Sequence, residues 1–305
     1  MTPEKMTRIA LVTDTHCWPE SQHCFGQEGE QLQPWFETIH TAFLEDVRSS
    51  GPEILIHLGD FSCGGGTFAM PDADFFAIMQ RVNKDFDDSV LHFYGVPGNH
   101  DCPAGTNDYS FCEKLLGLSP RLGRTVDTAY ARLIFLHSQG HSDEIRRAVL
   151  PKDPTYGWIG DAELARLDAD LASAGSRPVI LFTHQLLHPW ANSALYRDLY
   201  ATANSPAVRE ILAKYGNVRA VFQGHAHLLD KQEVMLGHSP VSFVVAPSLI
   251  QFPLGWLLLS LSPRVLRVQY RALALAELSE RSRLAGSTSD WRAGDPAWQD
   301  FSIAL

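Results

Sequence analysis

The sequence predicts an α/β fold in which two stacked β-sheets are flanked by helices. Apolar runs rich in valine, isoleucine and leucine recur along the chain without clear alternation, which is typical of strands buried on both faces. Helical patterns separate five of these runs, which predicts right-handed crossovers and a largely parallel sheet. Four other runs, two of them joined by a short turn, predict a second, mostly antiparallel sheet packed on the first.

The predicted parallel sheet is formed by residues 9–12, 53–58, 90–96, 178–182 and 218–222. Apolar residues at helical spacing predict helices at residues 35–50, 73–86, 161–174 and 207–215. The last helix is expected to open with Ser205 as its cap and Pro206 at its first position, because proline lacks the N–H that a first turn leaves unbonded.

The second sheet is predicted from residues 131–137, 241–246, 256–261 and 265–270. We expect the two sheets to form one domain over residues 1–275. Residues 276–305 are expected to form a C-terminal tail, a short helix plus an extended arm, that packs on this domain through aromatic side chains. Long irregular segments directly follow several strand ends, and such loops are expected to wall a pocket.

Composition excludes several classes of protein. With 45% hydrophobic and 20% charged residues in a chain of 305, a folded soluble protein is expected. A net charge of −10 argues against a nucleic-acid polymer as partner, because affinity for polyphosphate comes mostly from lysine and arginine. Five cysteines without paired CxxC spacing indicate neither a disulfide framework nor a thiolate zinc site. Neither a signal-like segment nor a membrane-length apolar run is present, so we expect a cytoplasmic protein without membrane contact.

Side chains that can bind metal follow each of the five predicted parallel strands. In such sheets, ligands gather beyond the carboxyl ends of the strands, so these side chains are expected to meet. Residues two apart in an extended segment point to the same side, which allows both members of each closely spaced pair to face one pocket. The set comprises Asp14, His16, Asp60, Asn99, His184, His225 and His227.

These ligands predict a dinuclear metal centre. Mixed carboxylate, amide and imidazole groups suit Mn, Fe or Zn, with Co or Mg as further possibilities, better than thiolate-seeking metals. Seven ligands are too many for one tetrahedral ion, but they divide into two sites with ions about 3.5–4 Å apart if one carboxylate is shared. Asp60 is the candidate for the shared ligand. Two divalent ions outweigh two aspartates, so the pocket is expected to hold a hydroxide and an anion.

Such a pair of ions suits phosphoester hydrolysis. A water that bridges the ions loses a proton near neutral pH, and the hydroxide attacks phosphorus in line with the leaving oxygen. His100 follows the ligand Asn99 and cannot easily face the same metal, so it is the candidate for protonating or polarising the leaving group. Asp101 is expected to orient His100. Asn99, His100 and the loop residue His188 are the candidate substrate contacts.

The five motifs together resemble those of the calcineurin-like metallophosphoesterases. The match spans roughly residues 8–260 in the family's order: DTH at 14–16, GD at 59–60, GNHD at 98–101, a single His184 and GHAH at 224–227. The resemblance implies a four-layer α/β/β/α sandwich of two mixed sheets flanked by helices, and a role for His100 in contacting the phosphate or leaving group. It also implies one metal held by Asp14, His16, Asp60 and His227, and a second held by Asp60, Asn99, His184 and His225.

Departures from the family pattern indicate which subgroup of the family this sequence resembles. Purple acid phosphatases carry a tyrosine ligand three residues after the shared aspartate, whereas this chain has Cys63 there; it also has His16, not glycine, as the third residue of the first motif. The sequence is more similar to the bacterial branch that contains cyclic-nucleotide and glycerophosphodiester phosphodiesterases. Members of that branch also tend to have His-Pro after the single histidine, as in His188-Pro189 here.

We therefore expect a metal-dependent phosphodiesterase acting on a small phosphoester. A phosphomonoesterase or nucleotidase is the alternative within enzymes, and it would need extra cations for a terminal dianion, for which Arg124, Arg146 and Arg197 are candidates. A nuclease is disfavoured because no basic, aromatic-interleaved stripe is visible. The non-enzyme alternative is a protein-interaction scaffold, which has usually lost ligands that are all present here. The substrate, the metals and the oligomeric state are left open.

Overall fold

Two six-stranded mixed sheets, stacked face to face with helices on both outer faces, make up the fold. The computed structural model describes residues 6–21, 27–65, 69–142, 155, 157–191, 200–286 and 289–305. The predicted α/β class and four-layer sandwich are confirmed. No helix within these ranges is long and apolar enough to span a membrane.

The strands are short and mostly buried. In chain order they are β1 (Thr7–Val12), β2 (Ile54–His57), β3 (His92–Gly95), β4 (Arg124–Asp127), β5 (Arg132–Phe135), β6 (Val179–Thr183), β7 (Val218–Gln223), β8 (Asp230–Leu236), β9 (Ser239–Val245), β10 (Gly255–Leu261), β11 (Val265–Ala272) and β12 (Asp300–Ala304). The first sheet has the order β12-β11-β10-β1-β2-β3, and the second has the order β4-β5-β6-β7-β9-β8. Strands β1 to β3 are parallel in the first sheet, as are β5, β6, β7 and β9 in the second.

The helices cover the outer faces of both sheets. They are α1 (Phe36–Ser50), α2 (Asp72–Asp87), α3 (Ser110–Leu115), α4 (Asp161–Ala174), α5 (Ser205–Tyr215) and α6 (Ala276–Ala285). Helix α1 ends where Gly51 adopts a φ of 61°, a conformation that glycine accepts without strain. Helix α5 includes Ser205, so Asn204 takes the preceding position, where its side chain bonds the backbone of Ile159.

Side chains of alternate strand residues divide among three apolar cores. On β1, Ala10 and Val12 belong to the core under the helices of the first sheet, whereas Ile9 and Leu11 belong to the core between the sheets. A third core, which includes Leu181 of β6, lies between the second sheet and helices α4 and α5. This three-core arrangement explains the uninterrupted apolar runs, because both faces of each central strand are buried.

The predicted division of strands between the sheets is wrong. Residues 256–261 and 265–270 extend the first sheet, where β10 pairs antiparallel with β1, while residues 178–182 and 218–222 form β6 and β7 of the second sheet. An apolar run reveals that a strand is buried on two faces, but the choice of partner strand depends on long-range packing. The strands that end in polar motifs are therefore shared between two sheets.

The C-terminal tail contributes a strand to the first sheet. Strand β12 pairs antiparallel with β11, from Val265 opposite Ala304 to Gln269 opposite Asp300. The segment that precedes it, Ser289–Ala293, bonds the end of the GHAH motif through a backbone hydrogen bond from Leu229 to Arg292. The tail thus reaches both sheets.

The carboxyl ends of the two parallel strand sets meet at one end of the sandwich. The imidazole Nδ1 of His184, after β6, lies 2.8 Å from the carbonyl oxygen of Leu58, after β2. The amide of His225, after β7, donates to Asp14 Oδ2 after β1 at 2.9 Å. The five polar motifs therefore come together although their strands belong to different sheets.

Candidate metal centre

The backbone at the strand ends holds the first two motifs side by side. The amide of Asp14 donates to the carbonyl of Gly59, and that of His16 donates to the carbonyl of Asp60, both at 3.0 Å. Gly98 packs so closely on this pair that a Cβ there would lie 2.2 Å from Asp60 Oδ1. Only glycine fits at this position, which explains the first residue of the GNHD motif.

Left-handed backbone conformations are concentrated among the candidate ligands. For a residue other than glycine, this region costs roughly 1–2 kcal/mol, although aspartate and histidine enter it more readily than most. Strain of this kind is retained mainly at functional sites, where the surrounding structure fixes it. The residues and their φ angles are Asp14 (52°), His16 (38°), Asp60 (58°), His225 (66°) and His227 (54°).

Asp14, His16 and His227 form the first of two ligand groups. The Nε2 atoms of His16 and His227 lie 3.1 Å apart, and Asp14 Oδ1 lies 3.2 Å from Nε2 of His227 and 3.8 Å from Nε2 of His16. All three residues are buried. Asp14 Oδ1 nevertheless accepts no hydrogen bond of normal geometry. A buried carboxylate oxygen left in this way beside two imidazole nitrogens is suited to a cation.

Asp60, His184 and His225 form the second group, and Asn99 adjoins it. Nε2 of His184 lies 3.1 Å from Asp60 Oδ2, 3.2 Å from His225 Nδ1 and 3.1 Å from Asn99 Oδ1. All four residues are at most 5% exposed. One carboxylate, one amide oxygen and two imidazoles thus face a single point.

Hydrogen bonds on the outer side of the imidazoles define which nitrogen faces the pocket. Nδ1 of His184 donates to the carbonyl of Leu58, and Nδ1 of His227 lies 2.6 Å from the side-chain oxygen of Gln251. These oxygens only accept, so in the neutral rings Nδ1 carries the hydrogen and Nε2 presents a lone pair. The inward nitrogens are therefore available as metal ligands.

His225 uses the opposite nitrogen in the same way. Its Nε2 donates to the carbonyl of Thr155 at 2.5 Å, which leaves Nδ1 facing Nε2 of His184. In the neutral rings these two nitrogens both present lone pairs 3.2 Å apart, an arrangement that a cation between them would satisfy.

The position of Asp60 joins the two groups. Its Oδ2 is 3.1 Å from Nε2 of His184 and 3.6 Å from Nε2 of His16, so one oxygen lies between both sets of imidazoles. Its Oδ1 accepts the backbone amide of His100 at 2.8 Å, which fixes the carboxylate plane. This is the geometry required of a shared ligand.

The electrostatics of the pocket favour cations. Burial alone would raise the pKa of Asp14 and Asp60, but His227 beside the first and His184 beside the second hold both pKa values well below their usual range. Burial acts to lower the pKa of His184, yet Asp60 and Asp14 raise it to about 9. The two carboxylates thus favour positive charge at this position, which a bound cation would supply. The residues fit a pair of divalent ions.

His100 is held beside the two groups by its outer nitrogen. Nδ1 donates to the carbonyl of Gly64 at 2.8 Å, and the ring meets that of His16 edge to face at 5.2 Å between centroids. The side chain is 3% exposed. The backbone bond at Nδ1 fixes the orientation of the ring.

The contacts of Asp101 differ from those predicted. Its carboxylate accepts the backbone amides of Asp60, Gly98 and Phe61, each at 2.8 Å, instead of orienting the ring of His100. Burial and the nearby Asp60 raise the pKa of Asp101 to about 7. A carboxylate can satisfy several backbone donors at once, so Asp101 organises the loops that carry Asp60 and Asn99.

His188 lies apart from the ligand groups. Its half-buried ring packs on Phe243 of β9, with 5.1 Å between centroids, and its backbone bonds the side chain of Gln223. Phe243 belongs to the core under α4 and α5, so the His188 ring is directed toward the helix layer. The predicted substrate contact is not supported by this position.

Two further polar residues, Thr13 and Ser248, contact Asp14 and belong to none of the five motifs. The hydroxyl of Thr13 donates to Asp14 Oδ2 at 2.7 Å, and that of Ser248 donates to the carbonyl of Asp14 at 2.8 Å. The sequence signal for the Thr13 contact is that Thr13 directly precedes Asp14. Ser248 lies 234 residues from Asp14, and nothing in its sequence context indicates the contact.

Comparisons with known proteins identify the family of this chain. The family model described as "Calcineurin-like phosphoesterase" matches residues 7–229. Glycerophosphodiester phosphodiesterase GpdQ of Enterobacter lignolyticus is 29% identical over 143 residues; the match covers 44% of this chain and 44% of that enzyme, so it spans less than half of the relative. The 3′,5′-cyclic adenosine monophosphate phosphodiesterase CpdA of Escherichia coli is 25% identical over 248 residues, 80% of this chain and 77% of the relative.

A solved structure has the same fold. The dimetal phosphatase from Danio rerio aligns with a TM-score of 0.69 and 14% identity, covering 88% of this chain and 96% of that chain. The family model covers more than half of the sequence and includes all seven ligand positions. The chain belongs to the calcineurin-like phosphoesterase family, whose members are metal-dependent phosphoric ester hydrolases.

Proposed function

We propose that this enzyme hydrolyses a small phosphodiester with two divalent metal ions. Asp14, His16 and His227 would hold one ion, His184, His225 and Asn99 would hold the other, and Asp60 would serve both. The single observation that carries the proposal is Oδ2 of Asp60, which lies between two sets of inward-facing imidazole nitrogens. Mn, Fe or Zn best suits this mixed ligand set, with Co or Mg as alternatives.

The metal pair, when bound, supplies an activated water and neutralises phosphate charge. The residues of the chain itself orient the reacting groups and supply a proton to the departing oxygen. His100 is fixed through Nδ1 to Gly64, which leaves Nε2 to polarise or protonate the departing oxygen. Asp101 accepts the backbone amides of Asp60 and Phe61, and the amide of His100 donates to Asp60 Oδ1, so the loop and the carboxylate are both held in place.

The position of Arg124 favours a diester over a monoester. A terminal phosphate dianion needs extra positive charge, and Arg124 is engaged elsewhere, because its guanidinium donates to the carbonyls of Leu116 and Gly117. The other two loop arginines, Arg146 and Arg197, lie outside the described residues. The names of the relatives, a glycerophosphodiester and a cyclic-nucleotide phosphodiesterase, support the same choice.

A hydrolysis screen tests the diester preference. With Mn²⁺ added, we expect kcat/KM for bis(p-nitrophenyl) phosphate to exceed that for p-nitrophenyl phosphate by at least about tenfold, or ~1.4 kcal/mol of transition-state stabilisation. Cyclic nucleotides and glycerophosphodiesters would then be compared directly. A preference for the monoester would instead identify a phosphomonoesterase or nucleotidase.

The same screen separates the enzyme from a scaffold and from a nuclease. A scaffold on this fold would purify with less than one metal ion per chain and hydrolyse none of the esters. A nuclease would cleave single-stranded DNA or RNA faster than the small diesters, against the expectation from the net charge of −10. The cytoplasmic location remains a prediction from the sequence.

A further inference from the structure

A buried hydrogen-bonded chain leads from the ligand His227 to an acidic residue outside the ligand set. Nδ1 of His227 lies 2.6 Å from Oε1 of Gln251, and Nε2 of Gln251 lies 2.7 Å from Oε1 of Glu30. Gln251 is 3% exposed and Glu30 is 7% exposed. Water therefore competes little with either bond.

The Glu30 carboxylate decides how the chain is polarised. An ionised carboxylate only accepts, so the Gln251 amide must turn its NH₂ group to Glu30 and its oxygen to His227. That oxygen in turn requires the hydrogen of the imidazole on Nδ1. The Nε2 lone pair of His227 is then directed at Asp14 and His16.

The C-terminal tail holds both ends of this chain. The Arg292 guanidinium donates to the carbonyls of Ala226 and His227 at 3.0 and 3.1 Å, and lies 3.7 Å from Glu30 Oε1. The hydroxyl of Ser282 on α6 bonds the carbonyl of Glu30. The Arg292 guanidinium therefore supports the backbone of His227 and balances the charge of Glu30.

We infer that Glu30 and Gln251 are positioning residues that fix the Nδ1–H tautomer of His227 and thereby set the metal affinity of the group it forms with Asp14 and His16. This inference rests on the dinuclear centre proposed above. Outer partners of metal-bound histidines typically contribute a factor of roughly 10 to 100 in metal affinity. The second group, which includes His184, has its own outer bond to Leu58 and is not oriented by this chain.

Variants that exchange glutamate and glutamine at positions 30 and 251 test the inference, because a polar side chain of similar size remains at both positions. In Glu30→Gln, either orientation of the Gln251 amide is satisfied, so the imidazole tautomer is no longer fixed. In Gln251→Glu, residue 251 still accepts from His227, but two carboxylates face each other, so this variant measures the cost of the lost bond to Glu30. In the double variant Glu30→Gln/Gln251→Glu, residue 30 donates and residue 251 accepts from His227, which restores the original polarity at the imidazole. The exposed Glu37→Gln is the matched control.

Two readouts separate positioning from general stability. In the metal-free protein, ¹⁵N chemical shifts of the neutral imidazoles are expected to report Nδ1–H for His227 in the wild type and the double variant, and a tautomer mixture in Glu30→Gln. In Mn²⁺ calorimetry, Glu30→Gln is expected to weaken one of two binding events by about 10- to 100-fold. The double variant and Glu37→Gln are expected to bind both ions as the wild type does.

Two results would overturn the inference. Wild-type tautomer and Mn²⁺ affinities in Glu30→Gln would show that the chain does not orient the ligand. Equal weakening in Glu30→Gln and the double variant, at unchanged unfolding temperature, would show that polarity at His227 is irrelevant. A wild-type protein that binds less than one Mn²⁺ ion would instead refute the dinuclear centre, and the two failures are thus distinguishable.

Discussion

Asp60→Asn is expected to remove both metal ions at once and to lower kcat/KM by more than about 10³, or ~4 kcal/mol of transition-state stabilisation. Oδ2 of Asp60 faces both imidazole groups, so the loss of its charge weakens two sites together. Asparagine is the appropriate substitute because the backbone at residue 60 has a φ of 58°, a region that asparagine tolerates better than alanine. Metal analysis after dialysis, alongside diester hydrolysis, measures the effect.

The control for this prediction is Asp127→Asn. Asp127 is partly exposed and paired with Arg132, so its substitution is expected to leave metal content and turnover unchanged. Asp60→Asn protein that keeps one full ion would mean that Asp60 belongs to one site only. The shared-ligand assignment would then be wrong.

His100→Ala is expected to retain both ions and to lower kcat by about 10²–10⁴, the usual contribution of a positioned proton donor. The His100 imidazole belongs to neither ligand group, and its Nδ1 donates a hydrogen bond to the carbonyl of Gly64. The loss should be largest for substrates with poor leaving groups, because p-nitrophenolate departs with little help. A series of aryl and alkyl diesters at saturating Mn²⁺ measures it.

His100→Asn separates catalysis from loop structure. The asparagine amide can keep the hydrogen bond to the Gly64 carbonyl, so it is expected to preserve the unfolding temperature while kcat stays as low as in His100→Ala. Recovery of turnover by asparagine would mean that His100 acts by holding the loop. Metal loss in His100→Ala equal to that in Asp60→Asn would contradict both assigned roles.

Much of the site could be predicted because its chemistry lies in local motifs at strand ends. Asp14, His16 and Asp60 each follow an apolar run directly, and a parallel strand brings its carboxyl end to a common edge. The residues that bond the outer side of these ligands, by contrast, belong to no local motif. Glu30 and Gln251 are 221 residues apart and lie in loops, so only the folded chain reveals that they bond each other and that Gln251 lies against His227.

The errors have a common physical origin. Polar strand ends were assumed to share one sheet, but β6 and β7 reach the same edge from a second sheet because the two sheets stack in register at that end. The role of Asp101 is predicted from its adjacency to His100, and that of His188 from its position in a loop that follows a strand end. A side chain next to a ligand can point to the opposite side, and here Asp101 bonds loop amides while His188 packs on Phe243.

Anomalous diffraction from crystals grown with Mn²⁺ tests the central claim most directly. Two peaks about 3.5–4 Å apart are predicted, the first between Asp14 and His227, the second beside His184 and Asn99, with Asp60 Oδ2 in contact with both. A single peak, or two peaks that do not share Asp60, would contradict the account.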